Sequence, residues 1–254
     1  MDNKSILFVY AHPDDESFSA GGTIAKYAAQ GVDIRLVCAT RGEAGKTAGV
    51  CEVEELGACR EQELREAAKV LGINQIYFLD YRDKEVSMAD PFAITVKIAR
   101  IIRDFRPQVL ITFGPDGSSG HQDHIAVHNY TLAAVRLAGQ SHVPELPVEP
   151  YRVPRVYYVN FTSRIRKALG RLQDWPEPDT LIDTSAFNDS KLTALKCHRT
   201  QSGSYHKFLA MGKDKMAYYL RQEAFLLNKE YSVCQTPGGS DLFGECTGRE
   251  AKVK

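Results

Sequence analysis

Two features of the sequence predict an α/β fold, specifically a Rossmann-like three-layer sandwich with a mostly parallel sheet and a C-terminal α+β elaboration. Short apolar runs alternate with segments of helical period through the first half of the chain. The runs are apolar on both faces and closed by turn residues, the pattern of parallel strands covered by helices on each side.

The first run, Ile6 to Tyr10, reads as a strand, and a helix follows from about Ser17 to Gln30 with Gly31 as its left-handed C-cap. Gly21-Gly22 inside that helix cost roughly 1 kcal/mol each against Ala, so the helix backbone is expected to lie close to the sheet. Strand two is Asp33 to Ala39. The next helix runs from about Glu54 to Leu71, with Leu56, Cys59, Leu64, Ala67, Ala68 and Leu71 as its apolar stripe. Strand three is Gln75 to Leu79. Asp90 then caps a helix with Pro91 at its first position, and Pro107 ends it. Strand four is Val109 to Phe113, followed by the loop Gly114 to Gly120 and a helix from about His124 to Ala138, for which Asp123 would be the N-cap.

Beyond it, Gln140 to Pro154 is proline-rich and reads as an irregular crossing loop. Arg155 to Phe161 is a fifth strand, Arg164 to Leu172 a short basic helix, and Thr180 to Thr184 a further strand. Asn188 to Thr200 and Lys213 to Glu223 read as helices. The polar stretch from Gln235 to Lys254 is expected to be mobile. Residues 1–254 thus form one domain, with a core over about 5–139, an elaboration over about 140–234 and a tail over about 235–254.

Lysine plus arginine and aspartate plus glutamate each number 32, so nothing in the charge balance calls for nucleic acid or an anionic membrane. No run approaches the length of a membrane span, and the N-terminus lacks a signal-peptide pattern, so a cytoplasmic location is expected. The six cysteines contain no CxxC pair and are expected to be free thiols.

The chemistry concentrates in Tyr10-Ala11-His12-Pro13-Asp14-Asp15-Glu16, the turn between the first strand and its helix. In an open α/β sheet, ligands bind at the carboxyl ends of the strands, so this turn and the loop after strand four could converge. His12, Asp15 and His124 make a three-ligand set with an open position, as in catalytic zinc sites, and ferrous iron would also fit. Asp14, left over, could take a proton from metal-activated water. A His121–Asp123 pair could hold an imidazolium for a developing oxyanion. Singly, each residue has a plainer reading: His12 as a strand-end hydrogen-bonding residue, Asp15 and Asp123 as N-caps, Glu16 as a helix-dipole partner. Their presence on one predicted sheet edge favours the joint site.

Ala11-His12-Pro13-Asp14-Asp15-Glu16 and Gly120-His121-Gln122-Asp123-His124 resemble the PIG-L / LmbE-like family of zinc-dependent N-acetylglucosaminyl deacetylases. The resemblance extends over Thr40-Arg41-Gly42-Glu43, Arg60-Glu61-Gln62-Glu63, Leu71-Gly72 and Lys191 to Gln201. It implies metal binding by His12, Asp15 and His124, Asp14 as general base, and His121, oriented by Asp123, as the oxyanion partner. Arg60 and Asp83 would hold the sugar, although Arg60 could equally pair with Glu63 or Glu52 and Asp83 could be a turn residue. Gln122 replaces a proline found in many members, and Ser119 stands where thiol-precursor deacetylases often carry a tyrosine. His198 could reach the rim of the site or serve a helix end.

The implied activity is metal-dependent deacetylation of a small-molecule amino-sugar conjugate by a protein whose relatives often self-associate. An amidase acting on a larger acyl group or a thiol S-conjugate is one alternative. A non-catalytic Rossmann-like sugar-binding protein is another. A dinucleotide enzyme is disfavoured, because the first strand–helix turn lacks GxGxxG.

Overall fold

The computed structural model describes residues 4–146, 149–161, 176–210 and 213–245. In chain order its main elements are β1 (Ser5–Tyr10), α1 (Asp15–Ala29), β2 (Asp33–Cys38), α2 (Leu56–Leu71), β3 (Gln75–Phe78), α3 (Pro91–Phe105) and β4 (Val109–Thr112). There follow α4 (Gln122–Ala138), β5 (Arg155–Asn160), β6 (Thr180–Asp183), α5 (Asn188–Cys197), α6 (Ser202–Leu209), α7 (Lys213–Leu220) and β7 (Gln222–Leu227). The seven strands form one sheet in the order β3-β2-β1-β4-β5-β7-β6. The first five of these are parallel. β7 runs antiparallel to both β5 and β6. Helices α1, α2 and α5 pack together in one layer and α3 with α4 in another, which gives the three layers expected.

The apolar runs become strands because they sit where both sheet faces are covered. Every residue of β1 and β4 is buried, with Ile6, Leu7, Phe8, Leu110 and Ile111 wholly inaccessible. The Asp90-Pro91 start of α3 is as expected, with the Asp90 carboxylate accepting from Phe92 N at 2.9 Å.

The close approach inferred from Gly21-Gly22 is real, but the neighbour belongs to the C-terminal elaboration. A Cβ on Gly22 would lie 2.7 Å from Thr184 Cβ, and one on Gly21 3.2 Å from Lys191 Cγ. The Glu223 carboxylate of β7 also accepts from Gly22 N at 3.0 Å and Thr23 N at 2.7 Å.

Several expectations are corrected. The segment Lys213 to Glu223 is not one helix: α7 stops at Leu220 and β7 begins two residues later. Its Gln-Glu-Ala-Phe-Leu-Leu sequence has helical propensity, but pairing with two strands decides the outcome. Helix α5 ends at Cys197, a short turn over Arg199–Gln201 follows, and α6 lies where the local pattern predicts no helix. The first part of the tail is docked, not free. Leu181 N bonds Gly239 O at 2.7 Å, Tyr27 OH donates to Asp241 Oδ1 at 2.7 Å, and Leu242 is wholly buried. Cys234 is disulfide-bonded, against the expectation of free thiols, whereas Cys38, Cys51, Cys59 and Cys197 are free. The basic helix expected over Arg164 to Leu172 lies outside the described residues. No helix among the described residues is long and apolar enough to cross a membrane.

Candidate metal centre and active site

β1 and β4 are neighbours, and the chain leaves their carboxyl ends into helices on opposite faces of the sheet. This is the topological switch point at which a doubly wound sheet opens a crevice. The turn after β1 fills it from one side. Asp15 is the first residue of α1, and its Oδ2 accepts from His12 N at 2.8 Å and Ala11 N at 3.2 Å, which folds the turn back on itself. Asp14 completes that fold at φ 118° and ψ −23°, a left-handed conformation that costs a non-glycine residue about 1–3 kcal/mol.

The loop after β4 supplies the other side. His12 Nδ1 and His124 Nε2 face each other at 3.1 Å, with Asp15 Oδ1 3.3 Å from His124 Nε2 and Asp15 Oδ2 3.7 Å from His12 Nδ1. Ligand atoms about 2.0–2.1 Å from a tetrahedral ion lie about 3.4 Å apart, close to the separations here, with Asp15 turning a different oxygen to each ring. The far nitrogen of each ring is already committed. His124 Nδ1 lies 2.9 Å from Gly117 O, and His12 Nε2 lies 3.0 Å from Asp83 Oδ1 and 3.1 Å from Asp123 Oδ2. Protons held there leave the two inner lone pairs pointing at one spot, the arrangement that orients histidine ligands. His124 is further fixed by stacking on Phe113, with ring centroids 4.1 Å apart.

Four aspartates, at positions 14, 15, 83 and 123, crowd this spot, a charge that suits a dication. Burial alone would lower the His12 pKa, but its bonds to Asp123, Asp15 and Asp83 reverse that and raise it. Burial would raise Asp15, but the His124 and His12 imidazoles hold it well below the usual range.

Asp14 behaves differently from its neighbour. Burial pushes its pKa up to about 6, against the pull of the Arg60 guanidinium and with help from Asp15. A carboxylate tuned this way is ionised at neutral pH yet basic enough to accept a proton. Arg60 Nη2 lies 3.6 Å from Asp14 Oδ1 and also donates to Pro13 O, while Nη1 donates to Gly42 O at 2.9 Å. Gly42, at φ +67°, is needed for this approach, because a Cβ there would lie 2.2 Å from Arg60 Nη1.

His121, not Asp123, is the N-cap of α4, which starts at Gln122 and so earlier than expected. His121 Nδ1 accepts from Asp123 N at 3.2 Å. That bond leaves Nε2 to carry the proton of the neutral ring. Burial, with the His12 and His124 imidazoles beside it, lowers the His121 pKa, which favours its neutral form. The Asp123 carboxylate is directed elsewhere: besides His12 it accepts from Lys84 N at 2.6 Å and Val86 N at 3.2 Å. The expected orientation of His121 by this side chain is thus replaced by orientation of His12.

These groups line an open cavity of about 370 Å³. Arg60 and Asp83 are in its wall, as a residue that holds substrate must be, and both are also bonded to protein partners. Phe18, Gly45, Lys84, Ser119, Gln201 and Ser204 complete the lining. Of these the sequence points to Ser119 and Gln201, both through the family resemblance. Phe18 is readable as the outward position one turn into α1, whereas Ser204 lies on a helix that the local pattern does not predict. His198 lies not at the rim but wholly buried behind the turn.

Imidazoles and a carboxylate converging on one point, with a tuned carboxylate beside them, are a group that could hold a metal ion and the kind of site a metal-assisted hydrolase uses. Residues 7–135 match the PIG-L family model, described as GlcNAc-PI de-N-acetylase. Over 292 aligned positions, covering 96% of this chain and 99% of the relative, the sequence is 35% identical to the 1D-myo-inositol 2-acetamido-2-deoxy-alpha-D-glucopyranoside deacetylase of Rhodococcus jostii strain RHA1. Among solved structures, a conserved protein from Thermus thermophilus superposes with a TM-score of 0.69 at 29% identity, over 87% of this chain and 93% of that one. The N,N'-diacetylchitobiose deacetylase from Pyrococcus horikoshii shares the fold, with a TM-score of 0.70 at 24% identity, over 89% of this chain and 84% of that one. The chain belongs to the PIG-L family, within the LmbE-like deacetylases. The relatives it matches are named as deacetylases, enzymes that hydrolyse an N-acetyl amide bond.

Proposed function

We propose that the substrate is N-acetylglucosamine joined to a small polyol, with the myo-inositol glycoside as first candidate, and that His12 Nδ1, Asp15 and His124 Nε2 hold a divalent metal at the reacting centre. The near-full-length match to the Rhodococcus jostii inositol glycoside deacetylase supports the substrate. The observation that carries the metal is the pair of inner imidazole nitrogens facing each other across 3.1 Å beside the Asp15 carboxylate. Zinc suits this donor set and ferrous iron fits it; either supplies Lewis acidity for the acetyl carbonyl and a water pKa lowered toward about 7.

The remaining work falls to side chains. Asp14 accepts the proton of the attacking water. His121, with Nδ1 tied to the start of α4, offers Nε2–H to the carbonyl oxygen as it gains charge. Asp14 then returns its proton to the departing nitrogen, giving acetate and a free amino sugar. Arg60 and Asp83 would meet the sugar hydroxyls while steadying Asp14 and His12.

The test is acetate release from a panel of N-acetylglucosamine conjugates, including the inositol glycoside, before and after chelation and on adding back zinc or ferrous iron. Release that stops with chelator and returns with metal is expected, fastest on the inositol glycoside. Absence of release from every acetylated amino sugar by metal-loaded protein would refute the reading. Preference for longer acyl chains would identify an amidase instead.

A further inference from the structure

Glu16 and His198 form a buried pair directly behind the reacting turn. Glu16 is 1% exposed and His198 wholly inaccessible, and His198 Nε2 lies 2.9 Å from Glu16 Oε1. Both oxygens of the carboxylate are engaged. Oε1 meets His198 and accepts from Ser17 Oγ, while Oε2 accepts from Asp14 N at 3.1 Å. A chain of contacts therefore runs from His198 through Glu16 to the backbone of Asp14, the residue at φ 118°.

The far end of that chain is firmly anchored. His198 follows the last residue of α5, its N–H bonds Leu195 O at 3.2 Å, and its carbonyl accepts from Gln201 N at 2.9 Å and Tyr205 OH at 3.1 Å. Its other ring nitrogen, Nδ1, is buried without a partner among the described residues. Buried polar atoms left unpaired are rare in folded proteins and call for an explanation. Here the ring turns Nε2 to Glu16, with the Ser17 hydroxyl 3.3 Å away bridging the two. Among the described residues the ion partner of the Glu16 carboxylate is that imidazole, which donates to it from Nε2.

We propose that the Glu16–His198 pair is a positioning device for Asp14, holding the backbone of the proton acceptor in its left-handed conformation from the C-terminal elaboration. This rests on Asp14 being that acceptor. Neither residue of the pair lines the cavity, so both act through Asp14 and not on the substrate. Releasing the Asp14 amide lets the turn relax and the carboxylate drift. A displacement of about 1 Å can cost on the order of 100-fold in rate without weakening substrate binding.

The experiment compares His198→Ala, His198→Gln and Glu16→Asp with wild type. Each is measured for kcat and KM of acetate release from the wild-type enzyme's best N-acetylglucosamine conjugate, for bound metal, and for thermal midpoint. Glutamine can present an N–H near the position of Nε2, whereas aspartate keeps the charge but is too short to reach both partners. His198→Ala and Glu16→Asp should lower kcat by about 10- to 100-fold with KM within about threefold and metal retained. His198→Gln should recover most of the loss. If His198→Ala does not fold, Glu16→Asp carries the test in the same way. A wild-type kcat in folded variants with lowered thermal midpoints would make the pair purely structural and overturn the proposal. Wild-type protein that releases no acetate from any conjugate would instead overturn the functional reading beneath it.

Discussion

Asp14 and Asp15 are adjacent in sequence and carry the same functional group, yet their surroundings push them in opposite directions. Asp15 faces two imidazoles and stays ionised, whereas burial brings Asp14 to about 6. If Asp14 is the proton acceptor, Asp14→Asn keeps the size, the turn and the metal and removes only the basicity. General-base removal costs about 10²- to 10⁴-fold, so kcat should fall by that much with one metal per chain retained by elemental analysis. Full activity in Asp14→Asn would move the base elsewhere. The contents of this turn are legible in the sequence because the residues are contiguous and of unambiguous chemistry. Their division of labour is less so. Spacing makes Asp123 the partner of His121, two residues away, but a carboxylate at the start of a helix can point back across the crevice to His12. The His198–Glu16 pair spans 182 positions, and no local pattern could join them.

Helix α1 shows how local preference and packing conflict within one element. By propensity alone, Gly22→Ala should stabilise the helix by about 1 kcal/mol. By packing it should not, because the new Cβ would sit 2.7 Å from Thr184 Cβ, a contact no rotamer change can relieve. Overpacking of this kind costs about 1–3 kcal/mol, so Gly22→Ala is expected to be destabilising on balance in urea titrations, with the m-value unchanged. Stabilisation would mean that β6 and its flanking residues yield freely. The sequence announces the glycine pair and the need for close approach, but not the neighbour, which comes from a segment about 160 residues later. β7 is hidden for a related reason. Its six residues carry no alternation, and their strand identity comes from lying between β5 and β6.

At the scale of the whole molecule, the division into a core over 5–139 and an appended elaboration describes the order of the chain better than its mechanics. β5, β7 and β6 continue the sheet past β4, α5 covers α1 and α2, and the tail bonds back to Tyr27. The tightest link is Glu223. It accepts from Gly22 N and Thr23 N and pairs with Lys191 Nζ at 2.5 Å, both side chains being less than a tenth exposed. One carboxylate thus joins β7, α1 and α5. Removing one member of a buried pair leaves the other charge without compensation, which costs about 3–5 kcal/mol, more than an exposed pair by several-fold. Glu223→Gln and Lys191→Met should therefore each lower the urea midpoint by an amount equivalent to that loss. The double variant should lose less than the sum of the two, since neither charge is then stranded. Additive losses would show that the two residues stabilise the fold independently. A loss below about 1 kcal/mol in Glu223→Gln would place the junction between the two halves of the sheet in the apolar contacts instead.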